Sequence, residues 1–293
     1  MRSNAVLGPA VAGSWYPRGR DELAGTVDAL VESAAARSST PAEPVAALVV
    51  PHAGLAYSGA VAASAFSRLA GCAFDRVVLI GPSHHFAFEG AAIPETATAY
   101  RTPLGDAPID REVVLALHDA SGFRADDSMF EPEHALETEI PFLQRVLPHD
   151  VPIVPVLLGG GATHEAAERA AEALAPWVHP STLVVVSSDF THFGPRFGFV
   201  PFADDLPRRI RELDLGAVAA IEAGDAAGFA RYVETTGATI CGHRAIDVLL
   251  LLYGKAAGAK LLEHDMSGRM TGTWDHSVSY AAIAFPALSA SGR

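Results

Sequence analysis

Short apolar runs, each closed by turn-forming or polar residues, set the rhythm of this chain. They fall at residues 46–50, 77–80, 153–158 and 183–186, are rich in Val, Leu and Ile, and stop at Gly, Pro or Ser. Runs of this length and β-branched content read as strands buried on both faces of a sheet, too short for helices. Elsewhere the apolar positions recur at helical spacing. Leu23, Val27, Leu30 and Val31 follow Asp21, a residue suited to capping a helix, and residues 33–44 read as helix end plus linker. Further helices are predicted at about residues 60–69, 111–120, 133–146, 164–175, 203–223, 226–233 and 245–252. Residues 91–110 read as strands and turns and 121–132 as irregular; 261–264 and 277–285 complete the set, the latter as a strand. The first run, a glycine-bounded loop at 54–59, an Ala-rich helix and the second run together predict a βαβ unit with its strands paired in parallel. No repeat and no interdomain linker interrupts the alternation. The pattern specifies one α/β domain over residues 1–293, with residues 1–20 as an arm that packs Trp15 and Tyr16 on the body.

Three of the runs end in histidine. Residues 46–50 lead to Pro51-His52-Ala53-Gly54, residues 77–80 to Gly81-Pro82-Ser83-His84-His85, and residues 183–186 to Ser187-Ser188-Asp189-Phe190-Thr191-His192. Ligands of open α/β sheets collect in the crevice outside the carboxyl ends of the strands. Three imidazoles delivered to such ends predict one convergent polar site.

Composition narrows what that site serves. Of 293 residues, 49% are hydrophobic and 19% charged, so the chain buries a substantial core and carries no long disordered stretch. A net charge of −13 excludes nucleic-acid and anionic-membrane partners, because no basic cluster is strong enough to hold phosphates. Arg208, Arg209 and Arg211 read as the start of an amphipathic helix. Cys72 and Cys241, far apart, exclude a disulfide framework and make a reduced, cytoplasmic setting the expectation. No apolar run approaches the roughly 20 residues of a membrane span, and the N-terminal stretch is interrupted by Pro9, unlike a signal peptide.

Prolines close to His52 and His84 restrict the backbone there, and neutral imidazole is the commonest biological metal ligand, so both are candidate ligands. His85 must diverge from His84 and is a candidate for substrate contact or for support behind the ligands. Asp189 stands three positions before His192, near enough to orient it for general acid–base chemistry, and Ser187, Ser188 and Asp189 are also good helix caps. Glu133 and Glu137 share one face of the predicted helix, with His134 on another side. Cys241 heads a polar Cys-Gly-His corner ending in His243, which favours a functional thiolate, whereas Cys72 reads as packing. CxxC and HExxH spacings, a nucleophile elbow, a Walker A loop and a dinucleotide-binding glycine fingerprint are all missing. A metal site assembled from distant strand ends is what remains.

With these residues in place, the chain resembles the MEMO family, the B component of the AmmeMemoRadiSam system, nearly end to end. The markers are residues 10–17 (AVAGSWYP), 51–54 (PHAG), 81–85 (GPSHH), 101–105 (RTPLG), 133–137 (EHALE), 187–194 (SSDFTHFG), 239–242 (TICG) and 277–282 (SVSYAA). The family is similar to class III (LigB-type) extradiol dioxygenases, which implies a single-domain α/β sandwich with a central, mostly parallel or mixed sheet. By that resemblance His52 and His84 match the metal-binding histidines, and Cys241 stands where the dioxygenases supply a glutamate. His192 matches their acid–base histidine and His134 a second active-site histidine, so His192, Asp189 and His134 form the expected catalytic group. His85, Glu137 and His243 are expected to touch substrate or to back the ligands. Thiolate is softer than carboxylate and suits copper or zinc as well as iron. The resemblance implies a divalent metal, iron foremost with copper or zinc as alternatives, and an oxidoreductase of unknown small-molecule substrate. It also implies AMMECR1-like and radical SAM proteins as partners. The competing expectations are a non-catalytic metal-binding adaptor and a zinc or manganese hydrolase.

Overall fold

The protein is described here by a computed structural model covering residues 5–38, 43–148, 151–254 and 258–287. Part of the 33–44 linker expectation and the first residues of the arm therefore lie outside the described residues. The chain begins with β1 (Ala5–Leu7), an arm that runs over the body, and α1 (Arg20–Arg37). It continues through β2 (Val45–Val50), α2 (Leu55–Phe66), β3 (Arg76–Pro82), β4 (Ala91–Ile93), β5 (Ala97–Thr102) and β6 (Gly105–Pro108). Then come α3 (Arg111–Leu117), β7 (Phe123–Ala125), α4 (Ile140–Val146), β8 (Ile153–Leu158), α5 (His164–Leu174), β9 (Thr182–Ser187) and the two-residue β10 (His192–Phe193). The last part holds α6 (Leu206–Glu222), α7 (Ala226–Thr236), α8 (His243–Tyr253), β11 (Lys260–Met266), α9 (Ser267–Thr271) and β12 (Ser277–Pro286).

The main sheet runs β10-β12-β2-β9-β3-β8-β4-β7, with β11 on the far side of β12; β1, β5 and β6 form a smaller sheet. β2, β9, β3 and β8 are parallel, while β12 runs antiparallel to β2 and β4 to β8, so the sheet is mixed. The four parallel strands are the four apolar runs, and they are buried almost throughout. Two crossovers, β2-α2-β3 and β8-α5-β9, travel in opposite directions along the sheet. Right-handed connections then place α2 and α5 on opposite faces. α2 packs on β2 and β12 and is backed by α1 and α4; α8 packs on β9 and β3 beside α5 and α7. This is the expected single-domain α/β sandwich. Among the described residues no helix is long and apolar enough to cross a membrane.

Several local expectations change. β2 and β3 do not pair, because β9 lies between them. α2 starts at Leu55, so the supposed glycine-bounded loop is its first turn. Gly59 serves packing there: a Cβ would stand 2.9 Å from the Leu30 Cδ1 atom of α1. α1 starts at Arg20, which puts Asp21 inside the first turn rather than at the cap. Residues 121–132 include the short edge strand β7, which among the described residues pairs only with β4. The chain leaves β9 through an extended segment into β10, so Ser187, Ser188 and Asp189 do not open a helix there. Residues 133–146 are not one helix: a turn and a 3-10 segment at Glu137–Glu139 precede α4. The reason is burial, since Glu133, Glu137 and Glu139 all point inward and none is more than 1% exposed.

Candidate metal centre

Because β2, β3 and β9 are parallel, their carboxyl ends share one edge, and His52 and His84 meet there. His52 is 2% exposed, and its main-chain N–H and that of Ala53 donate to Asp189 Oδ1 at 2.9 and 3.3 Å. Its Nδ1 lies 2.8 Å from Ser187 Oγ, at the end of β9. His84 is held by one carboxylate: Glu133 Oε2 accepts its main-chain N–H at 2.6 Å and Oε1 accepts its ring Nδ1–H at 2.9 Å. The same Glu133 Oε1 accepts the main-chain N–H groups of His134 and Ala135 at 3.0 and 2.9 Å. Glu133 therefore ties the end of β3 to the turn that carries His134.

That turn brings His134 into the group. Its ring stacks on His84 with centroids 4.5 Å apart and meets His52 edge-on at 5.5 Å. One ligand atom from each of His52, His84 and His134 lies within 4.8 Å of the others, a grouping able to hold a metal ion. Cys241 Sγ stands 3.3 Å from His52 Nε2 and 3.6 Å from the Asp189 carbonyl oxygen. Gly242 allows this approach, since its N–H donates to Ser188 Oγ at 3.0 Å and a Cβ there would stand 2.5 Å from the Ser188 Cβ.

His192 borders the same cleft. Its Nδ1 faces two carbonyl oxygens, Phe190 at 2.9 Å and Thr239 at 3.0 Å, which accept only. Nδ1 must carry the proton, so the Nε2 lone pair is left free. The expected orienting bond from Asp189 is not formed; that carboxylate is bonded to the main chain at His52 and Ala53 instead. His243 Nδ1 likewise faces the Ile240 carbonyl at 2.9 Å, and the residue lines the cleft. The cleft holds about 640 Å³ and is walled by Trp15, Phe197, Ile240 and Val278 around the histidines. Trp15 lies against His134 with ring centroids 4.2 Å apart.

Glu137 does not reach the cleft. Its carboxylate accepts from the N–H groups of Ala10 and Val11 and from the Tyr16 hydroxyl, fastening the arm that places Trp15. His85 is exposed, its ring 6.4 Å from that of His134. Glu139 lies beneath the site, with Oε1 3.0 Å from Ser187 Oγ. Sequence reasoning missed Ser187, Thr239 and the anchoring role of Glu133. The one available signal was three glutamates within seven residues beside a strand-end histidine.

Burial sets the electrostatics. Desolvation, reinforced by neighbouring imidazoles, lowers His52 well below the ordinary histidine value and takes His134 down to about 4. Both are neutral at pH 7, as metal ligation requires. Burial by itself would raise the Glu133 carboxyl, but the His84 ring and the main-chain amides outweigh it and hold it below its ordinary range. Burial, with Asp189 nearby, pushes the Cys241 thiol up. Without a metal it is a thiol whose one S–H has the Asp189 carbonyl oxygen and His52 Nε2 within reach. The donor set of three imidazoles beside one sulfur fits a first-row transition metal.

Sequence comparison supplies the family. The family model described as Memo-like protein matches residues 8–284. The chain belongs to the Memo-like family. It is 34% identical over 279 residues to a MEMO1 family protein of Thermoplasma volcanium, covering 94% of this chain and 96% of that one. It is 32% identical to Protein MEMO1 of Xenopus laevis, covering 93% and 95% respectively. Identity to the Protein memo-1 homolog of Caenorhabditis elegans is 33%, over 92% of this chain and 80% of that protein. The solved structure of an uncharacterized protein from Escherichia coli K12 matches with a TM-score of 0.51 at 14% identity, over 82% of this chain and 99% of that one. That likeness is one of fold alone.

Proposed function

We propose that this Memo-like chain is a metal-dependent oxidoreductase acting on a small molecule held in the cleft. His52, His84 and His134 hold iron or copper, with Cys241 as the adjacent soft donor. The observation that carries this reading is the meeting of three imidazoles whose ligand atoms lie within 4.8 Å. Two of their rings are turned by protein partners at Nδ1, Ser187 for His52 and Glu133 for His84, which leaves Nε2 free to ligate. A bound iron or copper ion would supply Lewis acidity and a one-electron couple. The chain's own contribution is acid–base and positional. His192 accepts a substrate proton at Nε2 while the Phe190 and Thr239 carbonyls stabilise the imidazolium through Nδ1–H. Trp15, Phe197, Ile240 and Val278 give the bound molecule an apolar wall to pack on.

Elemental analysis of protein purified without chelator tests the ligand set, beside His84→Ala, His134→Ala and Cys241→Ala. Iron or copper near one per chain, lost in the histidine variants, is the expected result. No metal under any loading condition refutes it, and zinc favours the hydrolase. A sulfur where the dioxygenase resemblance implies a glutamate favours a second reading: a metal-binding adaptor for AMMECR1-like and radical SAM partners. Metal binding with no oxygen- or peroxide-dependent turnover, and with His192→Ala silent, would select it.

A further inference from the structure

Ser187 links His52 to a buried residue that the proposed chemistry does not use, Glu139. Ser187 Oγ has three polar neighbours: the Ala135 carbonyl oxygen at 2.6 Å, His52 Nδ1 at 2.8 Å and Glu139 Oε1 at 3.0 Å. A hydroxyl offers one proton and two lone pairs. The carbonyl only accepts, so the serine proton is committed to Ala135. Both other neighbours must then donate, His52 through Nδ1–H and Glu139 as a carboxylic acid through Oε1–H. The second oxygen of Glu139 agrees: it is buried and has no hydrogen-bond partner among the described residues. A carboxylate left so bare in a dry interior is costly, whereas the C=O of a neutral acid is far less so. Glu133, seated a few residues earlier, makes the contrast, with donors on both of its oxygens. The charged group that faces Glu139 is Asp189, whose negative charge disfavours a second one nearby.

We propose that Glu139 is a positioning residue for the metal centre, a buried neutral acid that acts through Ser187. Its O–H fills one lone pair of the serine oxygen, leaves the other for His52 Nδ1–H, and so locks His52 in the tautomer whose Nε2 faces Cys241 and the cleft. This rests on the reading of His52 as a metal ligand. Glutamine can replace Glu139, because its amide N–H donates as the acid does; a leucine cannot.

The test uses the full chain in Glu139→Gln, Glu139→Leu and Ser187→Ala forms. In metal-free protein, nitrogen-15 NMR reads the His52 tautomer, and infrared difference spectra against Glu139→Gln read the protonated carboxyl. Iron(II) titration then gives affinity. Expected are a protonated-carboxyl band absent from Glu139→Gln, an unchanged Nδ1–H tautomer and iron affinity in that variant, and mixed tautomers in Glu139→Leu. Iron binding in Glu139→Leu should be about 10–100-fold weaker, the usual loss on removing support behind a ligand. If Glu139→Leu does not fold, Ser187→Ala carries the test, since it must also release the tautomer. Absence of the band, tautomer mixing in Glu139→Gln, or a fixed tautomer in Ser187→Ala overturns the assignment. The first two readouts need no metal. Failure of the ligand reading appears separately, as iron affinity unaltered by His84→Ala.

Discussion

Replacing Glu133 is the sharpest probe of how the histidines are held. Its carboxylate takes four donors: three on Oε1 (His84 Nδ1, His134 N–H, Ala135 N–H) and one on Oε2 (His84 N–H). Removing it in Glu133→Ala strands three main-chain amides at about 1–3 kcal/mol each. Water entering from the cleft offsets part of this, yet the sum remains a large share of a domain's roughly 5–15 kcal/mol. Glu133→Gln is the cleaner perturbation. With its carbonyl in the Oε1 place it keeps three donors, and its amide then opposes the His84 N–H at the former Oε2. The expected stability loss is that of a single unsatisfied amide, about 1–3 kcal/mol. The displaced His84 should cost about 10–100-fold in metal affinity. Urea unfolding of the metal-free protein reads the first quantity, and competition against a chelator of known affinity reads the second. A variant that matches wild type in both measurements would falsify the claim that this carboxylate fixes His84.

Other perturbations follow the same logic. Glu137→Ala should free the arm rather than unfold the domain, because the Ala10, Val11 and Tyr16 donors can turn to water; Trp15 emission should shift red and proteolysis appear within residues 8–17, and an arm still protected refutes the clamp. Asp214 accepts from the Thr191 main chain and hydroxyl and from His264 Nε2 at 2.8 Å, all buried, so Asp214→Ala should cost about 2–5 kcal/mol by chemical denaturation, and a change below about 0.5 kcal/mol contradicts that role. His134 titrates near 4 when folded against 6.5 in an ordinary histidine, so the unfolded chain binds more protons between these values. Its contribution is therefore lost as pH falls through that window. Glu137 and Glu139, raised by burial, act in the opposite sense, so the wild-type minus His134→Gln difference isolates it; a flat difference from pH 6.5 to 4 rejects the assignment.

The parts of this architecture open to sequence reasoning are those governed by burial on both faces. β2, β3, β8 and β9 show as unbroken apolar runs, and in a parallel sheet their ends must gather, which is why His52, His84 and His192 were legible as one group. Strand order was not. Nothing local says that β9 inserts between β2 and β3, because that depends on which crossover covers which face. Asp189 misled for a similar reason: its neighbour in sequence is His192, yet its bonds run back to the end of β2 across the sheet. Helical spacing separated His134 from Glu137, which the structure keeps, but it could not show that the chain turns there and brings His134 onto His84. Cys241 and His243 were visible only as a corner, and their distance from His52 depends on Gly242 fitting against Ser188.

The turn at residues 133–139 shows why a helix-like pattern gave way. On a regular exposed helix Glu133 and Glu137 would share one face and Glu139 would lie roughly opposite, and each would then be ionised and nearly interchangeable. Turned inward, they diverge. Glu133 meets donors on both oxygens and is held ionised under His84 and His134. Glu137 meets the arm and, despite burial that raises its carboxyl, accepts from two amides and a phenol. Glu139 meets a single serine and, among the described residues, has no donor for its second oxygen. A regular helix could not aim three neighbouring side chains at the end of β3, the N-terminal arm and the end of β9 at once. Hydrogen bonds to these inward carboxyls outweigh the intrinsic helical preference of the segment, so the centre's geometry is encoded chiefly behind the histidines. Substitutions at 133, 137 and 139 should accordingly be unequal: an amide should be costly at 133, should weaken the arm at 137, and should be tolerated at 139.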